Sequence, residues 1–250
     1  MEMRRLLPEP GSTTTAEAVA GLRLGDRAPA ERPYVVANMV VSADGKAAFH
    51  GRSGPLGGDV DRAVFHRLRT QADAVLVGSG TVRTERYGRL VRDPDLRAAR
   101  EREGLRPNPL GCIVTRSLDL PTDIGLLADP EQETVVFTSS DGELAGAGPG
   151  ARLVRVPPDE LTFLTVLARL RAEHGVRSVL CEGGPTVLGA LLYEGAVDEL
   201  FLTVAPRLAG GGAGPTAVEG MPLSDLRELE LVSALESGGE LFLRYAILPE

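Results

Sequence analysis

Tryptophan is absent from this 250-residue chain, and only four tyrosines and six phenylalanines occur, so aromatic packing cannot build the core. Leu, Val and Ala must do so, and an apolar content of 43% is enough for a sizeable one. Cysteine is equally scarce. Cys112 and Cys181 each lie inside an apolar run, which reads as two buried small hydrophobes in a reducing compartment rather than a disulfide. The three histidines, His50, His66 and His174, lack metal-ligand spacing, and no H-x-E is followed by C-x-x-C. Zinc deaminase chemistry has no support, and no metal is expected.

No apolar run reaches the 18 residues of a membrane span and no secretory h-region occurs, so the cytosol is the expected location. A formal charge of −8 argues against nucleic acid or an anionic membrane as a partner. Ser53 and Ser79 stand beside glycine, but neither sits in the G-x-S-x-G elbow of a serine hydrolase.

What is present is an alternation. "YVVANMVVS" (Tyr34 to Ser42), "DAVLVG" (Asp73 to Gly78), "LGCIVT" (Leu110 to Thr115), "TVVFTS" (Thr134 to Ser139), "ARLVRV" (Ala151 to Val156) and "SVLCEGG" (Ser178 to Gly184) read as strands. The continuous apolar runs among them fit strands buried on both faces. Helical spacing occupies Asp59 to Arg69, Asp95 to Glu103, Leu161 to His174 and Pro185 to Tyr193, the last opened by a proline at a permitted position. Then "ELFLTVAP", "ELELVSAL" and "ELFLRYAIL" follow one another, the last two joined by "ESGG" as a hairpin. The expected fold is α/β, a mostly parallel central sheet with helices on both faces and an antiparallel C-terminal edge hairpin. Residues 34–250 form the expected domain, and the proline-bearing 1–33 an irregular lead-in.

Two junctions carry the chemistry. Gly78-Ser79-Gly80-Thr81 lies where a strand gives way to a helix, and Glu182-Gly183-Gly184-Pro185-Thr186 repeats the arrangement. Unpaired amides at a helix start suit a phosphate, and glycine lets the backbone approach an oxyanion closely. Either pair alone is more simply a turn. Arg83 stands where a Rossmann fingerprint needs its third glycine, and no Gly-Lys-Ser/Thr of a Walker loop follows. In a parallel sheet, however, both junctions fall on the carboxyl rim, and together they suit an extended, doubly phosphorylated cofactor. Arg116 and Ser117, just past another strand end, have the chemistry for a ribose 2′-phosphate and so for NADPH. Lys46, close to a buried strand in "SADGK", and Glu182, ending another, are polar anomalies that need a partner or a function.

Taken together, "NMVVSADGKAA", "GRSGPLGGDVDRAVFHRLRTQADAVLVGSGTVRTERYG" and "SVLCEGGPTVLGALLYEGAVDELFLTVAPRLAGG" resemble the RibD C-terminal reductase family, over about residues 33 to 245. These are pyrimidine reductases of riboflavin biosynthesis with a dihydrofolate-reductase-like fold. The resemblance implies hydride transfer from NADPH to 5-amino-6-ribosylaminouracil 5′-phosphate, turning ribosyl into ribityl. It places Gly78, Ser79, Gly80, Thr81 and Gly183, Gly184, Pro185, Thr186 at the cofactor. Lys46, Glu182 and Asp44 are placed at the reacting end, and Asn38, Ser53, Arg83 and Glu85 at the substrate. A homodimer is also implied, with the alternating Leu241, Leu243 and Tyr245 as candidates for the boundary. The chain looks like a stand-alone, actinobacterial-type member without a deaminase domain. "RTERYG" departs from the frequent Asp-x-Pro-x-Leu continuation, which leaves reduction of dihydrofolate or a related pterin, or a non-catalytic NADP-binding module, as alternatives.

Overall fold

The structure is a computed structural model describing residues 1–212 and 214–249. Its elements in chain order are β1 (Glu2–Leu7), β2 (Gly11–Thr14), a 3-10 turn (Leu24–Arg27), β3 (Tyr34–Ser42), α1 (Asp59–Leu68), β4 (Ala74–Gly78), α2 (Ser79–Glu85) and α3 (Pro94–Arg102). There follow β5 (Leu110–Thr115), α4 (Gly125–Ala128), β6 (Thr134–Thr138), β7 (Ala151–Arg155), α5 (Phe163–His174), β8 (Ser178–Cys181), α6 (Pro185–Tyr193), β9 (Glu199–Ala205), β10 (Leu229–Ser237) and β11 (Glu240–Ile247). The chain forms two compact units, and neither is continuous in sequence. Met1–Leu22, Val35–Leu68 and Pro185–Glu250 make the mixed unit; Arg23–Tyr34 and Arg69–Gly184 make the parallel unit.

In the parallel unit the strands run β8-β4-β5-β6-β7, every pair parallel. β4 and β6 are buried at each residue, as their unbroken apolar runs require. Both cysteines are free and buried, each in register with Leu76 of β4, so one strand separates them. Burial pushes the Cys181 thiol up to about 12 and Cys112 higher still. α5 starts where the Thr162 side chain accepts from the Thr165 amide and stops at Gly175, whose φ of 67° is the left-handed cap a Cβ disfavours. Among its residues Val166, Leu167 and Leu170 are buried, an apolar stripe along one side.

The mixed unit has strand order β2-β1-β10-β11-β9-β3, with β3–β9 parallel and the rest antiparallel. β10 and β11 form the expected hairpin, turned by Gly238 and Gly239, both at positive φ.

Three expectations differ from the structure here. Residues 1–33 are not an irregular lead-in, since β1 pairs with both β2 and β10. Consequently the C-terminal hairpin is not the edge, because β1 and β2 lie outside it. The cause is sequence separation: Arg4 is in register with Glu236, so the partner that makes β1 a strand is invisible in its six residues. The domain expected over 34–250 is likewise divided between the two units, one of which also takes in the N-terminal strands.

Candidate functional site

In the parallel unit β4 and β8 are neighbours, and their carboxyl ends carry the two glycine turns. The turns are joined directly. The Gly78 amide donates to the Gly183 carbonyl at 2.8 Å, just beyond the Glu182 amide's 3.0 Å bond to the Leu76 carbonyl. Gly183 has φ of 83°, a conformation that L side chains avoid, and the peptide to Gly184 is cis. A Cβ on Gly184 would stand 2.9 Å from Thr81 Oγ1, so that glycine is required by the opposite turn. Gly80 differs: a Cβ there would meet nothing within 4 Å. Packing does not demand glycine at 80, and the space beside it is open to a ligand. Gly78, extended, precedes α2 without any side-chain cap, which leaves the first amides of the helix for another acceptor.

Next along the same sheet edge, Gly78 is in register with Val114 of β5. Thr115 closes that strand with a buried hydroxyl that no group among the described residues engages. Arg116 and Ser117 follow, both exposed, and the Ser117 hydroxyl accepts from the Asp119 amide at 3.4 Å. Arg83 lies on α2 and donates to the Asp119 carbonyl at 2.8 Å. It therefore braces the loop after β5, a contact that its expected place at the substrate did not foresee. Arg86 does likewise through Asp123, at 2.6 Å. Glu85, half-buried, ends α2.

Glu182 has a partner that its local sequence does not announce. Expected to face substrate, its side chain is 1% exposed and both carboxylate oxygens accept from Arg69, at 2.6 and 2.8 Å. Arg69 donates a third bond to the Leu90 carbonyl at 3.0 Å. Its guanidinium also lies 5.4 Å from the Tyr87 ring centroid. Burial first, and then the charge of Glu182, hold the Tyr87 phenol well above its ordinary pKa. Burial alone would depress Arg69, but the charge and bonds of Glu182 outweigh it and raise the pKa. Glu182 had signalled its need for a partner; that the partner would be Arg69, 113 residues away, had no local mark.

The remaining candidates belong to the mixed unit. Asn38 is half-buried on β3, Ser53 half-buried in the loop before α1, and Thr186 exposed at the start of α6. Pro185 heads α6, and its carbonyl accepts from the Glu219 amide at 3.1 Å. The "SADGK" turn is closed by Ser42, which donates to Asp44 at 2.6 Å and accepts from the Lys46 amide at 2.9 Å. Asp44 then accepts from the amides of Ala209 and Gly210 at 3.0 and 2.8 Å. The Ser42 bond first, and these amides, bring its carboxyl down to about 2. Lys46 Nζ donates to the carbonyls of Gly212 and Gly214 at 3.3 and 3.2 Å. Asp44 and Lys46 thus fasten the glycine-rich segment after β9, a role the sequence reading did not assign them. No group of three or more His, Cys, Asp or Glu among the described residues is placed to hold a metal ion, and no helix among them is long and apolar enough to cross a membrane.

Linked glycine turns at the carboxyl ends of adjacent parallel strands mark an α/β protein, with the turns at the sheet edge where such folds bind ligands. Which one is settled by likeness. The family profile described as the RibD C-terminal domain matches residues 33–243, and the chain belongs to that family. It is 30% identical over 210 residues to the 2,5-diamino-6-ribosylamino-4(3H)-pyrimidinone 5′-phosphate reductase of Archaeoglobus fulgidus, covering 83% of this chain and 95% of that protein. The riboflavin biosynthesis protein RibD of Mycobacterium tuberculosis is 31% identical over 195 residues, 78% of this chain but 48% of that one. Among solved structures, a pyrimidine reductase-like protein of Corynebacterium diphtheriae superposes with a TM-score of 0.82 at 25% identity, over 95% of this chain and 100% of the other.

Proposed function

We propose that this chain is an NADPH-dependent reductase of a ribosylaminopyrimidine 5′-phosphate in riboflavin biosynthesis. The observation that carries the reading is the Gly78–Gly183 bond, which sets two glycine turns side by side on one sheet edge. The residues present fit a nicotinamide dinucleotide. There is open space at Gly80, an unengaged buried hydroxyl at Thr115 and an exposed arginine at 116. In this reading Gly78 to Thr81 and Gly183 to Thr186 hold the dinucleotide, while Arg116 and Ser117 take the 2′-phosphate that distinguishes NADPH from NADH. The cofactor supplies the hydride; the protein orients it, excludes water and directs charge. Asn38, Ser53 and Glu85 are assigned to substrate. Asp44 and Lys46 act there by holding the segment from Ala209 to Gly214.

Two substrates fit the chemistry, differing at one ring position: the 2,5-diaminopyrimidinone and the 5-aminouracil. The diamino form is favoured by the likeness to the archaeal reductase, which matches over nearly its whole length. Purified protein given NADPH with each pyrimidine, and with dihydrofolate, should oxidise the cofactor fastest with a ribosylaminopyrimidine phosphate. No turnover of either pyrimidine, or faster turnover of dihydrofolate, overturns the assignment.

We further read the protein as a cytosolic homodimer. Two buried free thiols suit a reducing compartment. Register places Leu241, Leu243 and Tyr245 of β11 on one sheet face with Val204, Leu202 and Leu200 of β9. Leu229 and Leu231 of β10 extend that face and are 41% and 37% exposed, an apolar surface of the kind a second copy covers. A light-scattering mass of one chain would overturn the dimer.

A further inference from the structure

Both oxygens of the Glu182 carboxylate are engaged inside the protein, and the arginine that engages them also reaches the segment that follows α2. Arg69 grips Glu182, the residue before Gly183. The same guanidinium bonds the Leu90 carbonyl and stacks near Tyr87, both on the segment that leaves α2, whose first turn is the Gly78 to Thr81 opening. The backbone of Arg69 is itself anchored: Arg100, 1% exposed, donates to the carbonyls of Arg69 and Ala72 at 2.6 and 2.8 Å. One cation thus ties the residue before Gly183 to the segment that follows the helix opened by the Gly78 to Thr81 turn.

We propose that Arg69, Glu182 and Tyr87 form a positioning cluster that sets the geometry of the paired glycine turns, and through it the affinity for the nicotinamide cofactor. None of the three touches the cofactor in this assignment. They act through Gly183 and through the segment that follows α2. The inference rests on the NADPH reading above.

The mixed unit supplies an internal control. Arg244 forks onto Glu199 at 2.8 and 2.9 Å and lies 5.5 Å from the Phe201 ring, the same ion pair and aromatic neighbour. There the aromatic has no hydroxyl, and Glu199 opens its strand rather than ending it. Tyr87 is therefore the informative residue, because Tyr87→Phe converts the first cluster into the composition of the second and leaves the ring in place.

Calorimetric titration with NADPH tests the proposal in wild type, Tyr87→Phe, Arg69→Lys and Arg244→Lys. Wild type binds. Tyr87→Phe and Arg69→Lys are each expected to raise Kd about tenfold, the order of effect when a buried polar group beside an ion pair, or the pair's fork geometry, is lost. Arg244→Lys is expected to leave Kd within about twofold while lowering Tm. Where turnover is measured, KM for NADPH should rise in the two cluster variants with KM for the pyrimidine unchanged, a split that mere loss of folded protein does not produce. Should Arg69→Lys fail to fold, Tyr87→Phe decides alone. Wild-type affinity in Tyr87→Phe overturns the positioning role and leaves the reductase reading standing. Failure of wild type to bind NADPH overturns that reading, and the inference with it.

Discussion

Each unit of this protein buries one arginine–glutamate fork beside an aromatic ring, and the two forks teach different lessons. Arg69–Glu182 has side chains 7% and 1% exposed; Arg244–Glu199 has 19% and 2%. Chemically they are near copies. Topologically they are opposites, because Glu182 follows the carboxyl end of β8 whereas Glu199 is the first residue of β9. Ligands of open α/β sheets gather beyond the carboxyl ends of strands, so the fork at a carboxyl end stands where binding is expected in its sheet and the fork at an amino end does not. A buried ion pair is weak evidence of net stability, since desolvation offsets much of its attraction. Strand polarity, more than the pair itself, tells which fork bears on function.

The sharpest way to break the comparison is to truncate both arginines. Arg69→Ala leaves a buried carboxylate without its cation and should cost about 3–5 kcal/mol in urea unfolding. Arg244→Ala, at a site water reaches more readily, should cost about 1–3 kcal/mol. Equal losses would erase the distinction.

A second contrast lies between the glycines. Gly184→Ala thrusts a Cβ against Thr81 Oγ1 and should cost about 1–3 kcal/mol, with weakened NADPH binding. Thr81→Ala in the same chain should recover much of the stability, a double-mutant cycle read by thermal melting. Gly80→Asp, facing open space, should leave stability within about 0.5 kcal/mol yet weaken NADPH about tenfold or more by setting a carboxylate where phosphate is expected. If its calorimetric affinity is unaltered, the cradle is misplaced.

The smallest effect tests a charge without a fork. Asp61 on α1 has its pKa raised, by burial first and then by Glu240, against a hydrogen bond from Thr203 that lowers it. A carboxyl whose folded pKa is raised contributes stability below its unfolded value of 3.8 and loses it as pH climbs through the folded value. Asp61→Asn should therefore match wild type in acid and exceed it at pH 7, by about 1 kcal/mol or less in chemical denaturation.

The parts legible in the sequence were those whose signal is local. β4 and β6 were plain because burial on both faces forces an unbroken apolar run, and α6 because Pro185 marks its first turn. That both glycine turns lie on the carboxyl rim followed from sheet polarity, whereas the pairing of β4 with β8 did not. What stayed hidden depends on distant partners. β1 becomes a strand only through β10, Glu182 finds Arg69 across 113 residues, and Asp44 reaches forward 165 and 166 residues to the amides of Ala209 and Gly210. A carboxylate in a glycine-rich stretch looks the same whether it faces a substrate or an arginine, since residue type carries the need for a partner but not the partner's identity.

The sheet of the mixed unit also fixes an order of events at the ribosome. Every stretch of the parallel unit has been synthesised once Gly184 is made, whereas β1 must wait for β10, Leu229–Ser237. At translation speeds of about 5–20 residues per second, the N-terminal strands stay without their partner for seconds after the parallel unit is able to fold. During that interval β1 exposes an unpaired edge to its surroundings. Until β10 is made, that edge is the part of the mixed unit most open to pairing with another chain.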